Sequence, residues 1–272
     1  MSICIVIAVP DGIALAADSQ TTWNQTITQA QQLGTNQMFD LAQPINIPVS
    51  WSRMARKLFN VKVNDVNFAI CIAGTALLNN KTISSIFKTL EKSYQGDGTF
   101  DNVTRHFIDG LKSELKRQLN TENLATAQII LNVEFIISSY IENEVSKPRI
   151  ESWVVFSGTV ELDNGQLLNT GEFKKWTNFV DGQHTFGGCW IGRAEFISHL
   201  VTHNNPELPP IQGQYELLSL ADAVDYTKFL VEYTCDYQRF AIMVPDCGKP
   251  IISATLTPET YDEEIIKEKN WL

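Results

Sequence analysis

The sequence has no C-x-x-C pair, no run of eighteen apolar residues and no basic stripe, and each absence removes a class of protein. Its five cysteines (Cys4, Cys71, Cys189, Cys235, Cys247) are scattered and odd in number. With no signal-peptide pattern ahead of them, they fit a reducing cytoplasm rather than a disulfide framework. Most stand in apolar surroundings and read as small core residues. No stretch is long and apolar enough for a transmembrane helix. The opening apolar run is too short for a leader and lacks a positive flank and a cleavage site. A net charge of -10 argues against a phosphate-backbone partner, which needs a positive footprint. Lys112, Lys116 and Arg117 read as the solvated face of an amphipathic helix. Membrane and nucleic acid are therefore not expected partners.

Histidine is also scarce, with four in the chain. His199 and His203 have the spacing of two ligands on one helical face. The residues between them are Leu-Val-Thr, without the glutamate of a zinc-protease helix, and no third ligand is evident. Two surface histidines are expected, and no metal. Gly187-Gly188 resembles a phosphate-binding turn but lacks the following Lys-Ser/Thr, so a tight strand-to-helix turn is expected there. No cofactor is implied.

What remains is a chain of 272 residues, 44% hydrophobic, which is ample for a sizeable core. No repeat and no boundary divides it, so one domain over 1–272 is expected. Residues 3–9 and 13–18 read as a hairpin turning at Pro10-Asp11-Gly12. The first strand is almost wholly apolar, as for a strand covered on both faces. Residues 23–52 are rich in Gln, Asn, Thr and Pro and read as a long loop or insertion. Strands are expected at 57–61 and 66–72, then helices over 76–94 and 102–120. The first helix buries Ile83, Ile86, Phe87 and Leu90. The second buries Val103, Phe107, Leu111, Leu115 and Leu119. Strands follow at 127–141 and 150–158, with a hairpin over 159–169 around Asp163-Asn164-Gly165. Helices at 190–204 and 216–235 precede strands at 239–244 and 250–256. The acidic Asp262-Glu263-Glu264 reads as a helix N-terminus. Paired helices between groups of strands suit an α+β fold of antiparallel sheets with helices outside, not a doubly wound parallel sheet.

The chemistry is expected at the chain start. Ser2 is small, so Met1 is expected to be trimmed. Residue 2 would then carry a hydroxyl and a free α-amine. Such an amine has a pKa near 8, which suits a general base on the nucleophile's own residue. The hairpin returns Asp18 beside it. The residues alone leave a second reading open, in which Asp18 only ends a strand and Ser2 only follows methionine.

The order of these features resembles the proteasome β-type family of N-terminal-nucleophile hydrolases. That family has a nucleophile on the first strand, a D-G turn, A-[DE]-x-x-x-T, a strand with K-[IL]-x and a strand ending A-G. Here these are Ser2, Asp11-Gly12, Ala17-Asp18, Thr22, Lys57-Leu58-Phe59 and Ala73-Gly74-Thr75. The opening is most similar to the bacterial Anbu (ancestral β-subunit) group and more distantly to HslV. The resemblance implies a four-layer αββα sandwich and a peptidase acting through an acyl-enzyme on Ser2. It implies a homo-oligomer, in a ring or helix, that takes peptide or protein, and it leaves any unfoldase partner unspecified. Lys57 would supply positive charge beside the nucleophile, Asp18 would hold Lys57, and the Gly74 N–H would receive the oxyanion. Thr21 and Thr22 would bind an extended peptide, with Thr21, Ala55, Ile72 and Ala76 around a small apolar pocket.

The chain departs from the family in four places. The nucleophile is serine where threonine is usual, and residues 23–52 are long. The family's Gly-Ser-Gly falls on Gly187-Gly188-Cys189, so Gly188 supplies no hydroxyl. Its supporting aspartate falls near Asp236, and its second serine falls on Arg239. Two other roles fit the same residues: a small-molecule amidohydrolase, and a catalytically weak subunit for assembly or binding.

Overall fold

A computed structural model describes residues 2–31, 38–52, 55–121, 127–141, 144, 146–163, 166–202, 214–241 and 245–266. The fold is α+β, with antiparallel sheets and four α-helices among the described residues. The chain opens with β1 (Ile3–Val9), β2 (Gly12–Asp18), β3 (Thr21–Gln31), β4 (Met38–Ser52), β5 (Leu58–Val63) and β6 (Val66–Gly74). Two short strands, β7 (Leu77–Leu78) and β8 (Lys81–Thr82), lead into α1 (Ile83–Ser93) and α2 (Phe100–Thr121). Next come β9 (Ala127–Tyr140), β10 (Pro148–Asp163), β11 (Gln166–Asn169), β12 (Phe173–Thr177), β13 (Phe179–Val180), β14 (Gln183–His184) and β15 (Gly187–Gly192). α3 (Ala194–Thr202), α4 (Leu220–Phe240), β16 (Ile251–Leu256) and β17 (Tyr261–Ile266) complete the order.

One sheet runs β15-β1-β2-β16-β17 and a second runs β11-β10-β9-β6-β5, with β12 also paired to β10. Alternation along β1 explains its apolar sequence. Ile3, Ile5, Ile7 and Val9 pack with Ile197 and Val201 of α3 and Leu230 and Val231 of α4. Cys4, Val6 and Ala8 point the other way, onto Leu58, Ala69, Cys71 and Ile136 of the second sheet. Both faces of the strand are buried, so neither set of alternate residues can be polar. The outer face of the second sheet is covered by α1 and α2. There Phe87 lies 5.7 Å from Phe59, 4.8 Å from Phe107 and 5.6 Å from Phe135, ring centre to ring centre. Val103, Phe107, Leu111, Leu115 and Leu119 are all buried, as their helical spacing predicts.

Several expectations need correction. Residues 23–52 are not an irregular loop. β3 and β4 form a long antiparallel hairpin from Thr21↔Ser52 to Gln31↔Met38, with two register shifts. Period-2 alternation is present at Ile45, Ile47, Val49 and Trp51, but Pro44 and Pro48 mask it. A two-stranded ribbon has only edge strands, where proline is tolerated. The helix expected over 76–94 starts at Ile83, because Asn79 and Asn80 adopt φ of 51° and 57° and turn β7 into β8. Thr82 then caps α1 by accepting from the Ser85 N–H at 3.2 Å.

The helix expected from 190 starts at Ala194, because residues 187–192 pair with β1 as a strand. α4 runs to Phe240 and so includes residues 239–240, read as strand; 242–244 lie outside the described residues. Its start is capped by Ser219, which accepts from the Asp222 N–H at 3.2 Å. Asp262-Glu263-Glu264 lie on β17, an exposed edge strand whose charges oppose further pairing, rather than at a helix start. Asp163 pairs with Gln166 as the hairpin predicts, while Asn164-Gly165 and His203 lie outside the described residues. Among the described residues, no helix is long and apolar enough to cross a membrane.

Candidate active site

β1 and β2 pair in the register Cys4↔Ala17, which leaves Asp18 one step beyond the last pair and beside the chain start. The Ile3 N–H donates to Asp18 Oδ1 at 2.9 Å. Lys57 Nζ donates to the same oxygen at 2.8 Å. The peptide nitrogen following Ser2 and the Lys57 ammonium thus share one acceptor. Asp18 Oδ2 accepts from the N–H groups of Gln20 and Gly248, each at 3.1 Å. Lys57 Nζ also donates to the Gln20 carbonyl. The Lys57 main chain is fixed by its carbonyl, which accepts from the Ile72 N–H at 2.8 Å.

This pair is deeply buried, with 6% of the Lys57 side chain and none of the Asp18 side chain exposed. A buried ion pair persists only when the remaining donors and acceptors are also met. Here both carboxylate oxygens carry two donors each. Ser2 itself is buried. Cys4, Cys235 and Cys247 lie close enough to feel both charges of the pair. Burial pushes all three thiols up, so they are neutral packing residues and not nucleophiles.

Gly74 ends β6 opposite Val133 with φ of +95°. A Cβ there would sit 2.0 Å from the Asn132 carbonyl oxygen, so only glycine fits this approach. Thr21 and Thr22 begin β3, paired with Ser52 and Trp51. The Ala55 N–H donates to the Ser19 carbonyl at 2.9 Å, and the Ala76 carbonyl accepts from the Ile83 N–H at 3.2 Å. Thr21, Ala55, Ile72 and Ala76 are all half-buried.

The remaining two candidates lie elsewhere. Gly188 pairs with Ile7 along β15, well up the strand from Ser2. The β15 residue opposite Ile3 is Gly192, and the Arg193 N–H donates to the Ser2 carbonyl at 2.7 Å. Asp236 sits half-exposed on α4, 3.7 Å from Lys249. Besides Asp18, the carboxylate tied to the chain start is Asp246, through Arg193. Arg193 grips it through Nε at 2.8 Å and Nη2 at 2.6 Å, both to Oδ2. Burial raises the Asp246 carboxyl, but the bonds from Arg193 and Gln238 outweigh it and hold the group below its usual value. Sequence reasoning missed Arg193, Asp246 and Gly248. Arg-Ala-Glu after Trp-Ile-Gly is an ordinary helix start, and nothing local marks Asp246. Among the described residues, no group of three or more His, Cys, Asp and Glu side chains is placed to hold a metal ion.

No family model matches the sequence, and no curated protein matches it. The fold is nevertheless similar to solved structures of Anbu proteins. Anbu (ancestral β-subunit) from Yersinia bercovieri superposes with a TM-score of 0.55 at 12% identity, covering 99% of this chain and 88% of that one. Anbu from Hyphomicrobium sp. strain MC1 gives 0.54 at 14% identity, covering 99% and 89%. The helical assembly of the Anbu complex from Pseudomonas aeruginosa gives 0.54 at 13%, covering 99% and 88%. The likeness to these Anbu structures is one of fold, and it runs over nearly the whole chain.

Proposed function

We propose that the protein is a proteasome-like N-terminal-nucleophile peptidase that hydrolyses peptide bonds through an acyl-enzyme on Ser2 once Met1 is removed. One observation carries this reading: a buried ammonium, Lys57, shares a carboxylate oxygen with the first peptide nitrogen after Ser2. A lone strand end has no use for a buried charge at that place.

In this reading Ser2 Oγ attacks the substrate carbonyl while the Ser2 α-amine, through a water, takes its proton. The positive charge of Lys57 favours the deprotonated hydroxyl and the neutral amine. Asp18 keeps Lys57 in place. The Gly74 N–H donates to the developing oxyanion, and such a donor typically contributes about 3 kcal/mol. The amine returns the proton to the leaving amide nitrogen. Water then attacks the Ser2 ester and frees the second product and the hydroxyl. Thr21 and Thr22 add an extended substrate as a strand. Thr21, Ala55, Ile72 and Ala76 favour a small or apolar residue before the cut bond.

Three apolar layers separate α1–α2, the two sheets and α3–α4, which supports reading the chain as one four-layer αββα domain. Assembly into a homo-oligomer is part of the proposal. The Pseudomonas relative is described as a helical assembly, and α4 displays Phe229, Tyr237 and Phe240, with Phe240 81% exposed. Such an aromatic stripe on a helix suits a second copy of the chain.

The test combines intact mass with an electrophilic peptide. The purified protein is expected to lack Met1 and to gain one adduct on Ser2, and Ser2→Ala is expected to gain none. Retained methionine, or processed protein that takes no adduct, refutes the peptidase and leaves assembly as the role.

A further inference from the structure

Ser2 is held by a closed ring of contacts, and one residue occupies two places in it. The Arg193 N–H donates to the Ser2 carbonyl at 2.7 Å. The Arg193 guanidinium grips Asp246, and Gln238 Nε2 donates to Asp246 Oδ1 at 2.9 Å. Gln238 is fully buried, and its Oε1 accepts from the N–H groups of Asp246 and Cys247 at 2.9 and 3.0 Å. Two residues after Asp246, the Gly248 N–H donates to Asp18 Oδ2. Asp18 Oδ1 accepts from the Ile3 N–H, and the ring returns to Ser2. Gly192 makes the closure sterically feasible, since at φ +85° a Cβ would lie 1.9 Å from the Ser2 carbonyl oxygen.

We propose that Arg193 is the positioning residue of the N-terminal nucleophile: its main chain clamps Ser2, and its guanidinium, locked on Asp246, ties that clamp to the segment completing the Asp18 shell. The role rests on the hydrolase reading above. The ring fixes the Ser2 carbonyl and the nitrogen after it. It therefore fixes the Ser2 Cα and the Cα–C axis about which Oγ and the α-amine are carried. Arginine suits the position because its planar fork meets the carboxylate with two nitrogens at once, and Lys cannot. The fork is completed by Nη1, which donates to Glu195 at 2.9 Å.

The experiment follows labelling of the protein beginning at Ser2 by a peptide vinyl sulfone, read by intact mass over time. Each variant is first shown to be folded by its melting curve. Arg193→Gln is expected to lower the maximal labelling rate on the order of 100-fold while the half-saturating concentration moves less than about twofold, because misdirection of the nucleophile affects the attack and not peptide binding. Arg193→Lys recovers part of the rate. Asp246→Asn weakens the same clamp and stands in for Arg193→Gln should that variant not fold. The double variant R193Q/D246N labels no more slowly than R193Q, since the ring is already open. Labelling of R193Q at the wild-type rate, or a loss confined to the half-saturating concentration, overturns the positioning role alone. So do losses that multiply in the double variant. Wild-type protein that takes no label overturns the hydrolase reading and this role with it.

Discussion

Asp18→Asn removes a charge and an acceptor from the interior at the same point. In the native protein the two carboxylate oxygens accept from Ile3 N–H, Lys57 Nζ, Gln20 N–H and Gly248 N–H. An asparagine keeps one acceptor oxygen and turns the other position into a donor. Two of the four donors are then faced by another donor, and the Lys57 ammonium is left buried without a counter-charge. Breaking a buried pair costs about 3–5 kcal/mol, and each orphaned buried donor about 1–3 kcal/mol. These terms overlap, so about 5 kcal/mol is expected, a large part of the roughly 5–15 kcal/mol that holds a domain folded. Lys57→Met should cost less, about 3 kcal/mol, because Asp18 keeps three backbone donors when the ammonium goes. The double variant D18N/K57M should be more stable than D18N alone, since no ammonium is then stranded. Urea unfolding with an unchanged slope measures all three. A cost below about 1 kcal/mol for D18N, or K57M more damaging than D18N, would refute this account of the site.

Gly192→Ala is expected to destabilise by at least about 2 kcal/mol, because its Cβ meets the Ser2 carbonyl. Gly182→Ala, at φ +80° but with nothing within 4 Å among the described residues, is expected to cost only about 1 kcal/mol in the same urea assay. Replacing Leu111, fully buried on the inner face of α2, by alanine should destabilise the protein by about 2–5 kcal/mol, read by thermal and urea unfolding. Acid should weaken the protein in part through Asp246. Its carboxyl is held below the unfolded value, so its stabilisation is complete above about pH 4 and drains away as pH falls through the lower folded value. Stability measured from pH 6 down to about 2.5 should therefore fall less steeply in Asp246→Asn than in the wild type.

The hairpin at the candidate site was legible because it is local. β1 and β2 are joined by a Pro-Asp-Gly turn, and alternation within β1 already required two buried faces. Placing Asp18 beside Ser2 needed only that hairpin. The strands that carry Lys57 and Gly74 were legible as apolar runs, and α2 by its helical spacing, whereas the roles of Lys57 and Gly74 came only from the family resemblance. The β3–β4 hairpin was not legible, since its alternation is broken by prolines, which edge strands tolerate. Residues 187–192 were misread as a turn into a helix because glycines hide a strand whose pairing partner lies at the other end of the sequence.

The sequence by itself determined the element types wherever an apolar period ran unbroken, and it returned Asp18 to the chain start through one hairpin. Only the tertiary structure decided what surrounds that start. It set aside Gly188 and Asp236, which similarity of order had suggested, and brought Gly192, Arg193 and Asp246 instead. The physical reason is range. A strand's period is written in neighbouring residues, whereas the partner of Arg193 lies 53 residues on and is chosen by the packing of α4 and the segment after it against the β1 sheet.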